Sequence, residues 1–224
     1  MPKKIIAIGD SFLAGSELRD PKTTWPALFA KHHGLDYQCL AQPGHTSQYV
    51  LRTLFESLQQ ETESCFYVLH WPSAMRFEYV DRQRDTWVQI NPNAILHGNS
   101  ESDTVKKCYY TYVNSLLGDK WHNLLMIYSA LTTLKHTKHQ FAMTVVDDFL
   151  FETDFHNPDY VTFLQDQCRS YVNWFDGQTF TAWAKYKNFP HGAHGHPLEA
   201  AHQSAFEYFS TQYKKLLSNN ESLT

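Results

Sequence analysis

Lys4-Ile5-Ile6-Ala7-Ile8-Gly9-Asp10-Ser11-Phe12 is the stretch that decides how this chain is read. A run of isoleucine and alanine ends at glycine, which marks a short buried strand closing in a tight turn. Working outward, Trp25 to His33 places Trp25, Leu28 and Phe29 at helical spacing, with Gly34 as the stop. Tyr37 to Ala41 reads as a second strand, broken by Pro43-Gly44. Ser47 to Gln60 is a helix with Val50, Leu51, Leu54, Phe55 and Leu58 on one face, and Cys65 to Trp71 is a third strand. Strand, helix, strand, helix, strand at this spacing predicts right-handed crossovers and a parallel sheet.

Beyond Trp71 the pattern loosens. Phe77 to Asp103 has no stable period and contains Asn91-Pro92-Asn93 and Gly98-Asn99-Ser100, so a long loop or lid is expected there. Val105 to His136 is predicted as two helices meeting near Gly118-Asp119. Phe141 to Val146 is a fourth strand, Tyr160 to Trp174 is helical, and Leu198 to Leu217 is a terminal helix with Pro197 at its first turn. The expectation is one domain over residues 1–224, with a loop and helical insertion at about 77–137.

Composition bounds the function. The 224 residues suffice for a substantial core, and a net charge of −4 offers no electrostatic attraction to nucleic acid. Ile5 to Ile8 is too short for a signal-peptide core or a membrane span, so no membrane partner and a cytoplasmic location are expected. Cys39, Cys65, Cys108 and Cys168 are scattered, which reads as reduced core thiols. Aromatic residues, 15% of the chain, gather in the polar stretches Phe77 to Trp87 and Tyr171 to Tyr186, where they either line a cleft or pack beneath loops.

Ser11 stands where the first strand of a parallel sheet hands over to its helix, at the carboxyl end where such sheets bind ligands. A serine there presents its hydroxyl to a substrate and its N–H to a developing oxyanion. By itself Gly-Asp-Ser is a common turn. What distinguishes it is His196, in His194-Gly195-His196-Pro197 at the head of the last helix, which has the chemistry of a general base. Asp10 is expected to shape the turn. His191, His194, His196 and His202 are dense enough to suggest a metal, but their spacing fits no standard zinc motif, so neither metal nor cofactor is expected. Arg76 and Glu78 either clamp a substrate or pair with each other.

Together, Gly9-Asp10-Ser11-Phe12, Gly44 in Gln42-Pro43-Gly44-His45, and His196-Pro197 resemble the GDSL/SGNH hydrolase superfamily. With Trp25-Pro26, His70-Trp71-Pro72-Ser73, Arg76 and Glu78, they are also similar to a divergent SGNH-like group of phage and bacterial genomes. The resemblance implies an α/β fold, a three-layer α/β/α flavodoxin-like sandwich with a mainly parallel five-stranded sheet. It implies Ser11 as nucleophile, His196 as base, and the N–H groups of Ser11 and Gly44 as the oxyanion hole. The implied activity is hydrolysis of a small acyl ester, an acetylated carbohydrate among the candidates, with Trp71 and Arg76 against the substrate. Phe77 to Trp87 would cover the cleft.

Two positions depart from the family pattern. The family's Gly-x-Asn block falls at His70-Trp71-Pro72-Ser73, where Pro72 has no N–H and Ser73 is the nearest substitute donor. The family's aspartate three residues before the histidine is Ala193 here, and His194 holds the place that a shortened motif would use. A backbone carbonyl, or a distant carboxylate such as Asp147 or Asp148, would then have to orient His196. A chain with those gaps is also compatible with a binding or structural module that has lost catalysis.

Overall fold

The computed structural model describes residues 2–92, 101–153 and 157–221. The chain begins with β1 (Lys4–Ile8), the short helix α1 (Ser11–Ala14), α2 (Trp25–His33), β2 (Asp36–Cys39), α3 (Ser47–Gln60) and β3 (Cys65–Trp71). Next come β4 (Phe77–Asp81), β5 (Thr86–Ile90), α4 (Glu101–Cys108), a π-helical turn at Tyr109–Val113, and α5 (Leu116–Lys135). The last part holds β6 (Gln140–Val145), α6 (Asp159–Arg169), α7 (Phe180–Tyr186) and α8 (Glu199–Glu221).

β2, β1, β3 and β6 form a parallel sheet in that order. Alternation along the central strands divides the core in two. Ile6, Ile8, Tyr67, Leu69 and Met143 pack with α3, α5 and α6. Ile5, Ala7, Phe66, Val68 and Ala142 pack with α2, α7 and α8. Residues i and i+1 of a strand point to opposite faces, so an unbroken apolar run such as Ile5 to Ile8 requires helices on both sides. The result is the expected three-layer α/β/α sandwich. β2 is the polar edge, with Asp36, Gln38 and Cys39 exposed, which discourages pairing with another chain.

Four of the sequence expectations need correction. The sheet has four strands among the described residues, not five. Where the fifth would lie, Val172 makes a single parallel bridge to Met143. Asn173 donates its N–H to Met143 O at 2.7 Å, and its own side-chain Oδ1 accepts from Met143 N at 3.1 Å. The side chain thus takes a ladder position that a strand's backbone would use. Asp176 and Gly177, at φ of 50° and 80°, then turn the chain away.

The loop expected from Phe77 begins instead as the antiparallel hairpin β4–β5, with Phe77 opposite Ile90 and Asp81 opposite Thr86. Phe-Glu-Tyr-Val and Thr-Trp-Val-Gln-Ile supply β-branched and aromatic residues that fit such a ribbon. Asp85, at φ 50°, turns the tip. Gly98-Asn99-Ser100 lies outside the described residues. The helical break falls at Asn114-Ser115 rather than Gly118-Asp119, because the Ser115 hydroxyl accepts from Gly118 N and caps α5. Finally, Cys39 and Cys108 are exposed rather than in the core, while Cys65 and Cys168 are buried; all four are free thiols. No described helix is long and apolar enough to cross a membrane.

Candidate active site

The first turn is held by contacts that leave little room for substitution. A Cβ on Gly9 would lie 2.9 Å from His70 Cβ and 3.0 Å from the His70 carbonyl, so only glycine lets the end of β1 pass this close to β3. Asp10, fully buried, caps α1 by accepting from Phe12 N at 3.1 Å. Its other oxygen accepts from Arg76 Nη1 at 2.8 Å. Ser11 is therefore the first residue of α1, where an N–H has no acceptor within the helix. Helix α1 stops after one turn at Gly15, which is left-handed at φ 73°.

Two residues further on, Glu17 also adopts a left-handed backbone, at φ 67°. A glutamate there is under strain, and such strain persists only where surrounding contacts enforce it. Those contacts come from the opposite end of the chain. Glu17 Oε1 accepts from His194 N at 2.9 Å, and Oε2 accepts from His196 N at 3.4 Å and from His196 Nδ1 at 2.6 Å. The loop makes space for the carboxylate at Gly192, where a Cβ would lie 2.4 Å from Glu17 Cδ. These bonds hold the Glu17 carboxyl at about 2, below its ordinary 4.5; the His194 N–H is the largest cause and the His196 side chain the next.

The other nitrogen of the same ring, His196 Nε2, lies 2.7 Å from Ser11 Oγ. With Nδ1–H donated to the Glu17 carboxylate, Nε2 is left as the acceptor of the serine hydroxyl. The Phe12 ring packs against the imidazole at a centroid distance of 4.9 Å and against His70 at 5.4 Å, which limits rotation of the ring. Serine, histidine and carboxylate thus form one continuous line of hydrogen bonds.

Gly44 lies in the turn between β2 and α3, at φ 80°. Gln89 of the β4–β5 hairpin leans over it and bonds the His45 ring through Nε2. Arg76 Nη1, besides holding Asp10, donates to His45 O at 3.1 Å. One guanidinium therefore ties the Ser11 turn to the Gly44 turn.

The remaining sequence candidates occupy other places. Trp71 is wholly buried in the core and presents no surface to a ligand. Ser73 accepts from Arg76 N through its carbonyl and borders a depression shared with Asp147 and Lys185. His194 serves through its backbone N–H, and its residue is exposed. Asp147 caps the turn after β3 by accepting from Ala74 N at 2.8 Å. Asp148 is exposed at the start of a 3₁₀ turn (Asp148–Phe151). Neither of these aspartates is the partner of His196, and neither is a backbone carbonyl; Glu17 is. Nor do Arg76 and Glu78 pair with each other: Glu78 is buried on Arg52 Nη1 at 2.7 Å, and its desolvation raises its carboxyl.

The other two C-terminal histidines, His191 and His202, do unrelated work. His191 Nδ1 meets Phe189 O, while buried His202 accepts from Trp25 N and is pushed down to about 3 by desolvation. No group of three or more possible metal ligands occurs among the described residues.

Glu17 is the residue that the sequence reading missed. Its signals were indirect: no carboxylate just before His196, an acidic residue in the nucleophile's own loop, and Gly192 in the histidine loop.

No protein-family model and no curated protein sequence matches the chain. Solved structures do match. The psychrotrophic esterase EstA from Pseudoalteromonas sp. superposes with a TM-score of 0.54 at 12% identity, over 96% of this chain and 99% of that one. A carbohydrate esterase family 2 enzyme with its carbohydrate-binding domain, from Corynascus thermopiles (Myceliophthora fergusii), gives 0.56 at 14% identity, over 96% and 67%. A lipase from a goat rumen metagenome gives 0.54 at 11% identity, over 93% and 96%. The chain shares the fold of these esterases and this lipase.

Proposed function

We propose that this protein is a serine ester hydrolase working through Ser11, His196 and Glu17. The observation that carries the reading is the unbroken relay of 2.7 Å from Ser11 Oγ to His196 Nε2 and 2.6 Å from His196 Nδ1 to Glu17. Ser11 Oγ attacks the ester carbonyl carbon as its proton passes to His196 Nε2. Glu17 holds the ring in the tautomer that accepts this proton and faces the imidazolium that forms. The N–H groups of Ser11 and Gly44 receive the oxyanion, and Arg76 acts as a positioning residue by holding their two turns together. Collapse breaks the bond to the alcohol oxygen, which takes the proton from His196 and leaves an acyl-serine. Water, deprotonated by His196, then releases the acid and restores Ser11.

A small acyl ester is the simplest substrate for this site, and an acetylated carbohydrate is a candidate because one neighbour on this fold is a carbohydrate esterase. Hydrolysis of p-nitrophenyl acetate by wild type and by Ser11→Ala tests the reading: turnover should disappear in the variant. One feature favours a second reading, a module without catalysis. Pro72 stands where the family's third oxyanion donor belongs, and one such donor is typically worth about 10²–10³ in turnover. Equal rates for the two proteins would select that reading.

A further inference from the structure

A groove of about 590 Å³ runs down one outer face of the molecule, between α3 and α5 and beneath the β4–β5 hairpin. Its volume lies within the range of about 300–1,000 Å³ usual for small-molecule sites. The α3 wall is a stripe at spacings of three and four from Gln48 to Gln59, which at about 1.5 Å per residue is about 16 Å long. Leu51 and Phe55 from α3, Leu125 and Met126 from α5, and Trp87 from the hairpin make the interior apolar. Phe55, Trp87 and Leu125 are 39%, 49% and 40% exposed, although each belongs to a type that folding normally buries. Large exposed apolar side chains facing one another across a cleft mark a binding site.

The less exposed charged groups of the groove are turned to partners of their own. Arg52 is paired with Glu78 at 2.7 Å and lies over the Trp87 ring at 4.1 Å. Asp119 accepts from Asn114 Nδ2 through both oxygens, at 2.9 and 2.7 Å. Arg76 is held by Asp10. Glu56 and His122 are exposed. The groove therefore offers mainly apolar surface, with Arg52 and Arg76 paired to carboxylates and the Asp119 carboxylate held by a neutral amide, which suits a hydrocarbon chain better than an anion or a hydroxyl-rich sugar. Two of its lining residues, Arg76 and Gln48, lead towards the candidate site. Arg76 both lines the groove and bonds the carboxylate next to Ser11, and Gln48 lies in the first turn of α3, just past Gly44.

We infer that this groove holds an unbranched acyl chain, so that the ester cleaved at Ser11 carries a medium-length fatty acyl group. The inference rests on the hydrolase reading and narrows its substrate class away from acetylated sugars.

The test compares p-nitrophenyl octanoate with p-nitrophenyl acetate, for wild type and for Leu125→Trp, which narrows the groove at a partly exposed position. Wild type should favour octanoate. In the variant the octanoate-to-acetate ratio of kcat/KM should fall about tenfold or more, since a change in a hydrophobic pocket worth one methylene already shifts discrimination by about 10–200-fold. Acetate turnover with a ratio that Leu125→Trp leaves unchanged would overturn the groove assignment and leave the hydrolase reading standing. Failure of wild type on both esters would overturn the hydrolase reading. The groove is then judged by titration with dodecanoate: saturable binding weakened in Leu125→Trp supports an apolar-chain site, and no binding overturns it.

Discussion

Replacing Glu17 with glutamine keeps the side chain's shape and removes its charge. Three N–H donors converge on this carboxylate, from His194 N, His196 N and His196 Nδ1. An amide has one acceptor oxygen and one donor nitrogen, so it cannot serve both sides. If its oxygen faces His194, its NH₂ faces His196 Nδ1 and forces the proton onto Nε2, which can then no longer accept from Ser11. If it turns the other way, two donors oppose each other at His194. Loss of the carboxylate in comparable triads lowers kcat by about 10⁴ through the wrong tautomer. Glu17 is 17% exposed on its side chain, and water reaching the imidazolium offsets part of that loss, so about 10³ is expected here. The assay is steady-state hydrolysis of p-nitrophenyl acetate, with circular dichroism to confirm folding. A Glu17→Gln protein that keeps kcat within about threefold of wild type would refute the assignment of Glu17 to the relay.

Gly192→Ala keeps the charge but places a methyl group 2.4 Å from Glu17 Cδ, so kcat should fall on the scale of Glu17→Gln while the fold survives. Arg76→Gln strips the guanidinium from the buried Asp10 carboxylate, and breaking a buried pair costs about 3 kcal/mol, readable as a lower urea midpoint. The same variant should lower kcat more than it raises KM, because it loosens the two oxyanion turns; a change in KM alone would count against its positioning role. Acid unfolding checks Glu17 independently. Its carboxyl is depressed to about 2, so its contribution to stability is fully present above about 4.5 and is lost as pH falls towards 2. The urea-midpoint gap between wild type and Glu17→Gln should therefore shrink over that window and close below it; a gap independent of pH would contradict the anchoring of the Glu17 carboxylate by the His194 and His196 donors.

What the sequence made legible follows burial. β1 and β3 are covered on both faces, so Ile5 to Ile8 and Cys65 to Trp71 appear as apolar runs that admit one interpretation. Helix α3 carries Val50 and Leu54 inside and polar residues outside, and its period is visible. The hairpin was hidden because Val80 and Trp87 are exposed while Glu78 and Ile90 are buried, which erases a simple alternation. The fifth strand disappears because a side chain, that of Asn173, completes the pairing with Met143. In the site, Ser11 and His196 were readable because each sits at the end of a regular element. Glu17 was not, because its role depends on a left-handed backbone and on Gly192 lying far away in the chain. Trp71, at the carboxyl end of β3, has a place that suggests the substrate, whereas the pleat turns it into the core.

The central claim is that Ser11 is a nucleophile activated by His196. Treating the protein with a fluorophosphonate and mapping the adduct by peptide mass spectrometry tests it most directly. The account predicts a single stoichiometric adduct on Ser11, abolished in Ser11→Ala and strongly slowed in His196→Ala. No adduct on Ser11, or one formed equally fast without His196, would contradict it.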